Sequence, residues 1–227
     1  MKKITLLLII LLTLIFSIDI LWFFFPDSID RKYAIVLTIP VITLCYFLHA
    51  EAKNILYLLA LVAFIIADYL FFIEKSLIYG ITSSAIALSI YGIIVLKQSH
   101  YISTRQLLIS TIPFLALYML PFLFFVEKIN DEIFGEVIFY SFAIGYFSFM
   151  SIMTYFGKRN RLTQKLLIAG IATACMGALF GIFLFVERAP IYSVLANLFF
   201  IYSHYKMWQY IILKDAKENK DKEAIIL

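Results

Sequence analysis

Apolar residues come along this chain in long unbroken runs, and polar residues are gathered into short separators between them. A helix that crosses a bilayer needs about 20 largely apolar residues. By that rule the chain divides into eight segments, about 4–25, 33–50, 55–73, 77–96, 106–126, 133–156, 166–186 and 191–213. Separators such as P-D-S-I-D-R-K, E-K-I-N-D-E and G-K-R-N-R-L-T-Q-K carry nearly all of the charge. Runs of this length without polar alternation predict helices rather than the strands of a barrel. The expected fold is all-α: a polytopic membrane bundle of eight transmembrane helices in a single domain, 1–213, followed by a charged tail, 214–227.

Charge fixes an expected orientation, because loops rich in Lys and Arg stay cytoplasmic. With the N-terminus inside, thirteen Lys and Arg face the cytoplasm and five, Arg31, Lys32, Lys75, Lys128 and Arg188, face out. The even helix count returns the C-terminus to the cytoplasm, and the lysines of K-D-A-K-E-N-K-D-K-E agree with that side. The opening M-K-K imitates a secretory signal, but its apolar run continues through Trp22 to Phe25 without a small-residue cleavage site, so it reads as an uncleaved first helix. A bacterial cytoplasmic membrane is the expected location.

Composition strengthens this picture. Hydrophobic residues make up 63% and charged residues 15%, the mean hydropathy is +0.96, and a soluble domain is roughly 45–50% apolar. The net charge of +4 is spread over inner loops and a tail of mixed sign, which suits lipid headgroups and argues against nucleic acid. Cys45 and Cys175 both lie in apolar runs and read as small buried hydrophobes. His49, His100 and His204 are far apart, and no metal-ligand spacing, phosphate loop or cofactor motif is present, so neither metal nor cofactor is expected. Oligomeric state is left open.

Candidate chemistry then reduces to polar residues at membrane depth. A carboxylate in hydrocarbon costs a few kcal/mol or more, so it faces a partner or a water-filled cavity. Asp68 lies within L-L-A-L-V-A-F-I-I-A-D-Y-L-F-F-I, roughly 8 Å below the outer end of the third helix at 1.5 Å per residue. Asn197, entering from the same side on the eighth helix, reaches about that depth, so the two can meet. Asp19 and Glu136 also fall in the outer half, where an interfacial position is as good a reading as a buried one. On the eighth helix Asn197, His204 and Trp208 form one stripe, with Tyr205 and Gln209 on an adjoining face. His204 suits either a proton carrier or an interhelical hydrogen bond. Lys206 can snorkel to headgroups. The Ser, Thr and Gly residues of the fourth helix read as packing positions, and Pro40, Pro113 and Pro121 as kinks.

Several short motifs together resemble the YhhN-like family of eight-helix membrane proteins, which includes the lysoplasmalogenases. They are Ala67-Asp68 late in the third helix, Gly177-Ala178-Leu179-Phe180 in the seventh, and Tyr205 with Gln209 four residues later in the last. Pro40, Gly80 and Tyr91 match weaker family positions. Where the family continues to Ser-Asp in its seventh helix, this chain has Phe183-Leu184; Ile39 replaces a basic residue and Leu88 a histidine.

The resemblance implies hydrolysis of the vinyl ether of a lysoplasmalogen-type lipid, releasing a fatty aldehyde. Such chemistry needs a proton delivered to carbon and a water guided to the resulting oxocarbenium-like centre, a task for two differently placed carboxyl groups. Asp68 is the first; Asp19 or Glu136 replaces the missing second, with His204 as an alternative proton carrier. Asn197, Tyr205, Gln209 and Tyr91 are the expected substrate-binding residues. The competing reading is a small transporter or lipid-binding membrane protein that uses the same carboxylate and breaks no bond.

Overall fold

The computed structural model describes residues 2–50, 53–74, 76–97 and 103–226. Lys75 and His100 lie outside the described residues. Within them the regular structure is helical, without strands. The helices are α1 (Lys2–Phe24), α2 (Lys32–His49), α3 (Ile55–Phe72), α4 (Leu77–Leu96), α5 (Thr104–Phe114), α6 (Leu120–Phe125), α7 (Phe134–Gly157), α8 (Arg161–Phe185) and α9 (Pro190–Ile226).

Local sequence explains several of the helix starts. Asn54 accepts a hydrogen bond from the Tyr57 amide at 3.1 Å, and Ser103 with Gln106 closes a capping box before α5. Asn160 does the same with Thr163 before α8. Each device satisfies amide donors that the first helical turn leaves unpaired.

Six of the described helices, α1, α2, α3, α4, α7 and α8, are long and apolar enough to cross a membrane. The other two expected spans differ for physical reasons. The fifth run is interrupted by a π-helical segment, Leu115–Met119, between α5 and α6. Pro113 and Pro121 flank it; each lacks an amide and leaves a carbonyl four residues back without its helical partner, which favours a wider turn. That turn carries Tyr118, whose hydroxyl donates to the Ser141 carbonyl on α7. The last helix, α9, carries Asn197, His204, Lys206 and Gln209 and is more polar than its neighbours. Its backbone continues through the charged tail to Ile226.

Six helices close a ring, with α2 against α3, α3 against α4, α4 against α7, α7 against α8, α8 against α9, and α9 back against α2. Helix α1 packs outside, on α2 and α9, while α5 packs on α7. The core inside the ring is aromatic: Tyr57 and Tyr91 stack at 5.8 Å, and Phe147 packs on Tyr91 at 5.5 Å. Large apolar side chains such as Leu6, Leu14, Leu37, Leu59, Ile112 and Phe142 project outward, as lipid-facing residues do.

Small residues set the helix spacing. On α7 and α8, Ser148 donates to the Gly170 carbonyl at 2.9 Å, and a Cβ added at Gly170 would meet Ser151 Cβ at 2.6 Å. On α8 and α9, the Thr173 and Ser203 hydroxyls bond at 2.6 Å, and Ser203 also donates to the Ala169 carbonyl at 3.0 Å. Hydroxyl and glycine contacts of this kind hold helices together where apolar burial gives no preference for protein over lipid.

Candidate functional site: a lumenal cavity with one uncommitted carboxyl

The ring opens into a cavity of about 250 Å³ at the end that carries the α1–α2, α3–α4 and α8–α9 connections. All six ring helices contribute to its wall: Ile35 from α2, Asp68 and Phe71 from α3, Ser84 from α4, Tyr140 from α7, Met176 and Phe180 from α8, and Asn197 and Phe200 from α9. Arg31, immediately before α2, completes the rim. The wall is mainly aromatic and aliphatic with a few polar groups, the usual character of a small-molecule pocket.

Asp68 is the group that stands out chemically. It is 5% exposed, and its Oδ2 is buried with no hydrogen-bond partner. Buried polar atoms are nearly always satisfied, so an orphan in a cavity wall makes Asp68 the candidate site residue.

Asp19 is placed differently. It is fully buried and meets Arg31, its Oδ1 lying 2.7 Å from the guanidinium Nε. Both atoms lack an aligned hydrogen bond, so the contact acts as a close charge pair. Its Oδ2 accepts from Asn197 Nδ2 at 3.1 Å. The Arg31 guanidinium lies over the Trp22 ring at 4.3 Å, a cation–π arrangement. Burial holds Arg31 below the ordinary arginine pKa and the Asp19 charge opposes that shift; a guanidinium remains charged in either case.

The remaining expected residues fall elsewhere. Glu136 is half-buried in the first turn of α7, outside the cavity wall. His204 is enclosed by the rings of Phe64 and Phe200, each at 4.4 Å, and its Nδ1 pairs with the Tyr91 hydroxyl at 3.1 Å. This dyad lies in the core and neither residue lines the cavity, whereas Phe200, which packs on His204, does. Tyr205 accepts from Gln209 Nε2 at 2.5 Å, and Lys165 Nζ donates to Gln209 Oε1 at 2.9 Å. Gln209 lies roughly 18 Å along α9 from Asn197, toward the opposite end of the ring.

Asp68 and Asn197 therefore share one cavity wall with Asp19 directly behind it, whereas Glu136, His204, Tyr91, Tyr205 and Gln209 do not join them. Arg31 was legible only as a loop charge. The signal that points to it is the requirement that a buried Asp19 find a cation, and Arg31 is the first one after the α1–α2 turn. Phe183 and Leu184 also line this cavity. Among the described residues no group of His, Cys, Asp and Glu side chains is arranged to hold a metal ion.

Comparison with protein-family models, with curated proteins and with solved structures finds no match for this chain.

Proposed function

We propose that this chain is an integral membrane protein of the bacterial cytoplasmic membrane, a divergent YhhN-like protein that admits an amphiphilic lipid to the ring cavity and hydrolyses a lysoplasmalogen-type vinyl ether there. The observation that carries the reading is Asp68 Oδ2, buried without a hydrogen-bond partner in the wall of a mainly apolar chamber. Asp68 delivers its proton to the vinyl carbon remote from oxygen, leaving an oxocarbenium-like carbon. Water adds to that carbon and returns a proton to the Asp68 carboxylate. The hemiacetal so formed collapses to a fatty aldehyde and the glycerol hydroxyl. The hydroxyls of Ser84 and Tyr140 in the same wall suit the holding of that water. Asp19 is already engaged by Arg31 and Asn197, so one carboxyl serves both proton transfers.

Phe183 and Leu184, which stand where the resemblance expects Ser-Asp, face the same chamber as Asp68, and this coincidence supports the alignment of the two helices with the family pattern. The same substitution favours the second reading: with one uncommitted carboxyl in the chamber, the protein binds or moves the amphiphile without breaking a bond.

Purified protein incubated with lysoplasmalogen separates the two. Hydrolysis predicts aldehyde release that falls by about 100-fold or more in Asp68→Asn, the scale of general acid catalysis. Bound lipid recovered intact, with no aldehyde, selects the binding reading. In this proposal the chain crosses the membrane eight times with both termini cytoplasmic, α5 to α6 acting as one broken span and the apolar part of α9 as the last. Single cysteines at 28 and 188, modified by a membrane-impermeant reagent from outside, with one at 160 protected, are the expected labelling result; the reverse pattern contradicts it.

A further inference from the structure

The end of the ring opposite the cavity, where α8 begins and the apolar part of α9 ends, carries a second cluster of polar side chains. We propose that Lys165 and Lys206 form a binding site for the phosphodiester of a two-chain acidic phospholipid seated on the outer face of α8 and α9. None of its residues lines the ring cavity. The site takes from the proposed function only that the bundle lies in a bilayer, and it does not depend on hydrolysis.

Position is the first argument. Leu198, Tyr202 and Leu213 are exposed along one side of α9, and Lys206 falls on the same stripe, one turn after Tyr202. It stands seven residues before Leu213, roughly 10 Å inside the end of the apolar stretch at 1.5 Å per residue. A helical side chain leaves its backbone toward the helix N-terminus, which for α9 is the cavity end. The Lys206 ammonium accordingly lies over the rings of Tyr202 and Tyr205, at 5.0 and 5.3 Å from their centroids. A cation at that depth is costly without a counter-charge, and a ring face attracts it without neutralising it.

The donor inventory is the second argument. Lys165, in the second turn of α8, gives one N–H to Gln209 Oε1 at 2.9 Å and keeps two. That bond occupies the amide oxygen, and Gln209 Nε2 donates to the Tyr205 hydroxyl at 2.5 Å. What these two neutral groups have left to offer is an amide N–H and a phenolic O–H. The cluster therefore presents hydrogen-bond donors and two positive charges, and those charges are close enough to repel each other. Among the described residues the ion pairs are Arg31 with Asp19 and Lys32 with Asp30, so neither lysine has a carboxylate partner there. Asp215, the first carboxylate beyond the apolar stretch, meets Tyr46 on α2 at 3.4 Å. Two cations held side by side by neutral donors mark the place of an anion, and basic pockets between helices at a membrane surface take lipid phosphates. A choline or ethanolamine head would bring a third cation against the pair, so the fit is to a head without one, such as phosphoglycerol.

Native mass spectrometry of the full-length protein in detergent tests the proposal by counting bound lipid. The probes are phosphatidylglycerol, the chain-matched phosphatidylcholine and inorganic phosphate. Wild type is expected to hold phosphatidylglycerol at least about tenfold tighter than phosphatidylcholine, the effect of one charge-assisted hydrogen bond. Lys165→Gln and Lys206→Gln are each expected to lose most of that preference, and Lys206→Arg to keep it. Should loss of the Lys165 bond to Gln209 unfold the protein, Lys206→Gln, whose contacts are with ring faces, still decides. Lys97→Gln removes an equal charge at the end of α4 and is expected to leave the preference intact. Equal affinity of wild type for the two lipids overturns the proposal, as does an equal loss in Lys97→Gln, which would assign the effect to net charge. Inorganic phosphate that displaces phosphatidylglycerol at matched concentration overturns the lipid assignment in favour of a free anion. A wild type that prefers the acidic lipid yet releases no aldehyde from lysoplasmalogen keeps this site while the hydrolytic reading falls.

Discussion

Asp19 and Arg31 each supply what the other needs to stay buried. Truncating Asp19 to Ala leaves a guanidinium stacked on Trp22 with no counter-charge, and breaking a buried pair from one side costs about 3–5 kcal/mol. The expected outcome is a markedly lower melting temperature for Asp19→Ala in detergent, with most of the loss recovered in Asp19→Leu/Arg31→Met, where both charges go together. An unaltered melting temperature for the single variant contradicts the buried pair. At this scale the sequence carried part of the site. Helical rise brought Asp68 and Asn197 to one depth, and both line the cavity. The partner of Asn197 is Asp19, a choice that depends on how the α1–α2 turn folds back and that no spacing encodes. Arg31 was hidden for the same reason: within P-D-S-I-D-R-K a buried arginine looks like any solvated loop charge.

At the scale of elements, hydrophobic runs translate well into helices because a backbone in lipid must satisfy its own hydrogen bonds. The expected boundaries near 25, 50, 73 and 96 lie within a residue or so of the ends of α1 to α4. Prolines 113 and 121 were legible as kinks, whereas the form the break takes, a π segment that carries Tyr118 to the Ser141 carbonyl on α7, was not, since a proline alone does not select among kink geometries. Close approach of α7 and α8 gives a sharp test. Gly170→Ala puts a methyl group against Ser151 Cβ at 2.6 Å and Ser148 Cα at 3.3 Å. Neither atom is the far end of a flexible chain, so the helices must separate, at a cost of about 1–3 kcal/mol. Chemical denaturation should register that loss for Gly170→Ala, while Gly135→Ala, with nothing within 4 Å of the added atom, should be close to neutral.

For the molecule as a whole, the outward-facing leucines, isoleucines and phenylalanines form an apolar surface of the kind that an integral membrane protein presents to lipid. Helix α1 is the extreme case, with most of its apolar length exposed. The protein is expected to stay with the membrane through an alkaline carbonate wash and to leave it with detergent. The ring also sets what can enter. Purified protein should bind a single-chain amphiphile in the chamber, whereas a two-chain phospholipid at the same concentration should not bind there; equal binding of both would mean that the chamber opens wider than about 250 Å³.

The placement of Trp22 under Arg31 has a practical side. The chain contains two tryptophans, and the other, Trp208, is buried against His49 at 5.4 Å, well along α9 from the rim. With Trp208 replaced by Phe, Trp22 becomes a lone intrinsic fluorophore whose neighbouring cation alters its emission. Occupancy of the rim can then be followed by light in an unlabelled protein, in real time and in a native bilayer, before any substrate has been identified.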